Sequence, residues 1–168
     1  MPDICDLILD DHETFRRRFA ELDDERSSGP DVLVPLWRAL CEHLERHASA
    51  EEDVFYPAAL HILSDGEHEA HHAVRDHNKI RDAIRRVAEA EPGSDAWWEA
   101  VADANEENSD HMAEEERGPL SGFRQAGVPE ARKELGTRFL EFNLEHAGGR
   151  DLDTEDVDPD AYVEEHTG

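Results

Sequence analysis

A histidine followed by a gap and then His-x3-Glu occurs twice in 168 residues: His12, then His47 and Glu51, and again His77, then His111 and Glu115. His-x3-Glu sets an imidazole and a carboxylate on one face of a helix, near enough to bind one ion. Repetition makes a chance origin hard to sustain. Each half offers two histidines and one glutamate, and six nitrogen and oxygen donors without a thiolate suit a pair of first-row ions such as iron better than a closed structural zinc site. The pattern predicts a dinuclear metal centre inside a helical bundle.

The apolar residues follow a helical period, with almost no strand-like alternation. Breaks at Ser27-Ser28-Gly29-Pro30, Ser64-Asp65-Gly66, Pro92-Gly93-Ser94 and from Gly118-Pro119 to Pro129 divide the chain. They predict helices over 3–26, 31–62, 66–90 and 95–117 and a shorter fifth over 129–146. Ser64 and Ser94 have the position of N-caps, and Ser64 with Glu67 the spacing of a capping box. Short connections favour an all-α, antiparallel up-down-up-down four-helix bundle as a single domain over 1–146. Residues 147–168 are acidic, poor in apolar side chains and broken by Gly and Pro, which predicts a mobile, disordered tail.

Helical phase tests the candidates. His12 falls in the stripe Ile4, Ile8, Phe15, Phe19, Leu22, and His47 and Glu51 in Leu33, Leu36, Leu40, Leu44, Val54. His77 falls among Ala70, Val74, Ile80, Ile84, Val87, while His111 and Glu115 continue Trp97, Val101, Ala104, Asn108. All six face the expected core, where an unpaired carboxylate is costly and a cation is its simplest partner. A single buried histidine is ordinarily a hydrogen-bonded core residue; four with two glutamates would make a poor core without metal. His43, one turn before His47, is the main rival ligand. Acidic runs such as Glu114-Glu115-Glu116 read as solvated faces wherever phase does not turn them inward.

The string HEAHH, His68 to His72, satisfies the HExxH pattern of zinc proteases, with Glu69 as base. His72 and His68 lie about 140° and about 180° from His77 around the helix, on the polar face. Glu69 and His72 form the one Glu-x-x-His in the chain, whereas a ferritin-type site needs two. His61, His71, His146 and His166 read as surface residues. Cys5 and Cys41 make no CxxC pair. They would stand roughly 20 Å apart in the bundle, too far for a disulfide.

Forty-three acidic residues against 17 basic give a formal charge of -26, which disfavours nucleic acid and anionic membranes as partners. With only Lys79 and Lys133 as lysines, this balance resembles that of proteins from cells with high internal salt. No run of about 18 apolar residues and no basic leader is present, so the expected location is cytoplasmic.

With these residues placed, the chain resembles the hemerythrin family, specifically its HHE cation-binding domains. HLERHASAEEDVFYPAAL, from His43 to Leu60, looks like that family's HxxxEExxxYP signature, and HMAEEERGPL, from His111 to Leu120, is similar to a second copy. The resemblance implies a non-haem di-iron centre with His12, His47, Glu51, His77, His111 and Glu115 at the ligand positions. By symmetry, His12 and His47 would hold one iron, His77 and His111 the other, and Glu51 and Glu115 would bridge. Oxygen carriers of the family have a further histidine four residues from the one on the third helix and HxxxxD on the fourth. Here Ala73 and Arg81 flank His77 at that spacing, and the fourth helix carries HxxxE. Fewer imidazoles imply a more open, oxygen-rich site admitting water, dioxygen, nitric oxide or peroxide, walled by Phe15, Leu44, Phe55, Ile80 and Trp97. The expected role is to sense, bind or buffer iron, dioxygen or nitric oxide. The alternative is an enzyme acting on peroxide or nitric oxide, or delivering iron for cluster repair.

Overall fold

In the computed structural model, which describes residues 2–168, the long helices fall close to where the apolar periods place them. They are α1 (Ile4–Asp24), α2 (Pro30–Ala50), a π-helical turn (Glu51–Phe55), α3 (Tyr56–Ile62), α4 (Gly66–Glu89) and α5 (Asp95–Arg117). The chain then forms α6 (Pro119–Ala126), α7 (Pro129–Glu145), a 3-10 turn (Ala147–Gly149) and α8 (Pro159–Thr167). No strand occurs among the described residues.

Ser94 caps α5, its hydroxyl accepting from the Trp97 amide at 3.2 Å. Ser64 does not cap α4, so the expected capping box is absent: α4 follows Asp65 and begins at Gly66. A Cβ at Gly66 would come within 2.5 Å of the Ala59 carbonyl, so the close return of the chain onto α3 decides the start. The stretch read as one helix over 31–62 is interrupted by the π-helical turn, in which the Tyr56 amide donates to the Glu51 carbonyl. Pro57 is the physical reason, because its ring would strike the carbonyl four residues back, and one extra residue in the turn moves that carbonyl aside. Within the stretch read as a break, α6 starts on Pro119 and buries Leu120 and Phe123.

α4 and α5 run antiparallel. Along them, His77 meets His111, Lys79 meets Glu107 and Arg86 meets Asp103. The apolar interior divides into two layers. One gathers Ile4, Ile8, Phe55, Leu60, Val74, Phe123 and Phe139; the other Phe15, Phe19, Leu33, Trp37, Ile84, Trp97 and Val101. Between them lies a buried polar layer.

The segment after residue 146, expected as a mobile tail, is instead docked. Asn78 grips the Val157 backbone, donating to its carbonyl at 2.7 Å and accepting from its amide at 3.1 Å. Arg85 pairs with Asp156 at 2.6 Å, and buried Tyr162 donates its hydroxyl to the Glu52 carbonyl at 2.5 Å. Low overall hydrophobicity concealed one aromatic anchor and specific polar contacts that hold the segment along α4.

Candidate metal centre

The six residues singled out by the repeat meet in the polar layer, and none is more than 4% exposed. α1 supplies His12, α2 His47, the π-helical turn Glu51, α4 His77, and α5 His111 and Glu115. They form two groups whose donor atoms lie within 4.8 Å of one another: His12, His47, Glu51 and Glu115, and Glu51, His77 and His111. Glu51 belongs to both. Its Oε1 is 2.9 Å from His47 Nε2, and its Oε2 is 3.2 Å from His77 Nε2 and 3.7 Å from His111 Nε2. Glu115 Oε2 lies 3.1 Å from His12 Nε2. Its other oxygen accepts from the Tyr56 hydroxyl at 2.7 Å, so the expected symmetry of two bridging carboxylates gives way to one shared glutamate.

The donor atoms fit cations. His12 Nε2, His47 Nε2, both oxygens of Glu51 and Glu115 Oε2 are buried without a hydrogen bond, an arrangement costly unless a positive ion sits among them. On His12, His47 and His77 the nitrogen opposite the inward one is engaged. His12 Nδ1 is 2.9 Å from Glu116, His47 Nδ1 2.9 Å from Asp11 and His77 Nδ1 2.8 Å from Glu52. Outer carboxylates of this kind fix ring orientation and the tautomer that turns Nε2 to a metal.

Protons answer the same charge in the metal-free protein. Burial opposes the imidazolium of His47, yet the Glu51 charge and the Asp11 hydrogen bond hold its pKa well above the ordinary value. His77, against the same cost of burial, is raised to about 9 by the adjacent Glu51 carboxylate and by its hydrogen bond with Glu52. Burial would raise Glu51, but the charge of His47 and the close approach of His111 and His77 hold it well below the carboxylate range. Burial, and then the neighbouring Glu115, raise Tyr56, keeping its phenol protonated as a donor.

His43, the rival ligand, lies outside both groups, its Nε2 3.0 Å from the Asp11 carboxylate that also serves His47. His68 is exposed, and its ring lies 4.3 Å from that of His72, away from the six. Of the expected walls, Phe15 packs on His47 at 5.1 Å between ring centres, while Trp97 lies with Trp37 and Trp98 in the far apolar layer. Phe139 of α7 takes a place on His47 that sequence periodicity did not suggest. Cys5 and Cys41 are free thiols; burial pushes Cys5 up to about 12.

Asp11, Glu52, Glu116, Arg16 and Arg81 were missed, although a longer repeat signals them. Asp-His-x3-Arg occurs at 11–16 and 76–81, and His-x3-Glu-Glu at 47–52 and 111–116. Glu116 lies in an acidic run whose composition suggests a solvated face; its carboxylate instead joins His12 to Arg16.

Comparison with known proteins agrees with this geometry. The family model described as the hemerythrin HHE cation binding domain matches residues 3–118. No curated protein and no solved structure matches the chain.

Proposed function

The chain belongs to the hemerythrin HHE cation-binding family, and on that premise we propose that it holds two non-haem iron ions and uses them to sense, bind or buffer iron, dioxygen or nitric oxide. The observation that carries this reading is Glu51, fully buried with both oxygens lacking a hydrogen bond and shared by two histidine groups. A lone carboxylate in that position is expensive, and a cation on each side offsets it.

His12, His47 and Glu115 would hold one ion with Glu51, and His77 and His111 the other. The near-complete closure of all six residues supports a ligand of about diatomic size, which fits dioxygen, nitric oxide or peroxide better than a bulky substrate. Bound iron would supply coordination and one-electron chemistry towards such molecules. The protein's own part is to keep the imidazoles turned inward through Asp11, Glu52 and Glu116, to donate from Tyr56 to Glu115, and to exclude bulk water with Phe15 and Phe139.

Elemental analysis and an optical spectrum of protein purified without added metal test the reading. Two irons per chain and a spectrum changed by oxygen or nitric oxide are expected; one ion per chain, unchanged by added ferrous iron, rejects the dinuclear arrangement. Sustained turnover of peroxide or nitric oxide would make the protein an enzyme instead.

A further inference from the structure

In both halves of the site an arginine stands four residues after the first histidine, and a second glutamate directly follows the inward one. These residues meet across the halves. Glu116 Oε1 lies 2.9 Å from His12 Nδ1 and accepts from Arg16 Nη2 at 2.6 Å. Glu52 Oε1 lies 2.8 Å from His77 Nδ1, while Arg81 donates to its two oxygens at 3.1 and 2.9 Å. An imidazole that donates Nδ1–H to a carboxylate presents the Nε2 lone pair on its other side, and a guanidinium fixes the carboxylate's own position.

We propose that Arg16–Glu116 and Arg81–Glu52 are two positioning pairs that hold His12 and His77 in the form able to bind metal through Nε2, each pair serving one ion. This deepens the metal-binding reading and rests on it. The helix that carries the second glutamate belongs in each case to the opposite half, so neither half of the repeat completes its own histidine. Environment separates the pairs: the side chains of Arg16 and Glu116 are 41% and 30% exposed, those of Arg81 and Glu52 only 2% and 10%. Salt therefore weakens the first pair much more than the second.

The test titrates ferrous iron, without oxygen, into the metal-free full-length chain and reads two dissociation constants, with the metal-free melting temperature as control. Glu116→Ala should weaken one of the two ions about 10- to 100-fold and leave the other unchanged. Glu116→Gln, whose carbonyl still accepts from Nδ1–H, should recover most of that loss. Arg16→Ala should cost less, add nothing in the Glu116→Ala background, and lose most of its effect at 1 M salt. Glu52→Ala should weaken the other ion.

Wild-type affinity for both ions in Glu116→Ala overturns the proposal while leaving the metal site standing. So does an Arg16→Ala loss of equal size with and without Glu116, or a Gln variant as weak as the Ala variant. A fall in metal-free melting that accounts for the whole loss of affinity marks a merely structural role. Wild-type protein that takes up no iron overturns both readings.

Discussion

The His12/His47 half and the His77/His111 half carry the same residue types at the same spacing, yet their surroundings differ. The first half gathers both inward carboxylates; the second has Glu51 alone, because Tyr56 engages one oxygen of Glu115. Tyr56 stands five residues after Glu51, whereas the residue five after Glu115 is Leu120, which offers no donor. The outer aspartates diverge too. Asp11 joins His43 and His47, but Asp76, at the matching place before His77, pairs with Lys79 at 2.9 Å. Where the first half has His43, the second has Glu107, itself 3.6 Å from Lys79. The second half also lies under the docked C-terminal segment, since Asn78 and Arg85 of α4 hold Val157 and Asp156. A duplicated motif can therefore yield two unequal metal positions, through neighbours that the motif does not contain.

The largest expected effect removes what the halves share. Glu51→Ala should drop iron from two ions per chain towards none and abolish the metal-dependent rise in melting temperature, a stabilisation of about 3 kcal/mol when free metal is a hundredfold above its Kd. Retention of one full equivalent would show that the halves bind independently.

Single-histidine variants separate the positions. His12→Ala and His77→Ala should each lower the iron content by one ion, with His77→Ala the more severe for its own position because only His111 and Glu51 remain there. Metal analysis decides it, and loss of both ions from either variant would mean that the positions cannot be filled separately.

Tyr56→Phe sharpens the comparison in the opposite sense. Freed from the phenol, Glu115 can reach both positions, so the two iron affinities should draw together in a titration. The metal-free form should lose about 1.5–3 kcal/mol in denaturant unfolding, the cost of taking a donor from a buried carboxylate. Unchanged, unequal affinities would remove Tyr56 as the source of the asymmetry.

A pH series tests the proton's role in the metal-free protein. The folded-state pKa of His77 is raised to about 9, so its contribution is fully present below the unfolded value of about 6.5 and is lost as pH rises through 9. Melting temperature in the presence of a chelator should therefore fall between pH 7 and pH 10. Iron affinity should rise over the same interval, because metal and proton compete for Nε2. A flat melting profile would place the proton elsewhere. The smallest effect is expected outside the site: His68→Ala and His72→Ala should leave iron content as it is, and a loss there would overturn the assignment of α4's inward face.

The sequence alone determined the helical class, the main helix bounds and the six inward residues, because a 3.6-residue period puts residues four apart on one face and burial makes a charged residue in an apolar stripe conspicuous. Only the tertiary structure decided which carboxylate is shared, that His43 stands behind Asp11, and that Arg16 and Arg81 serve histidines through glutamates from the opposite half. Those relations depend on how helices are aligned across the bundle, and local periodicity does not encode that alignment. The same holds for the C-terminal segment: its composition resembles that of a free tail, but Tyr162, Val157 and Asp156 find Glu52, Asn78 and Arg85 on elements that are adjacent only after folding.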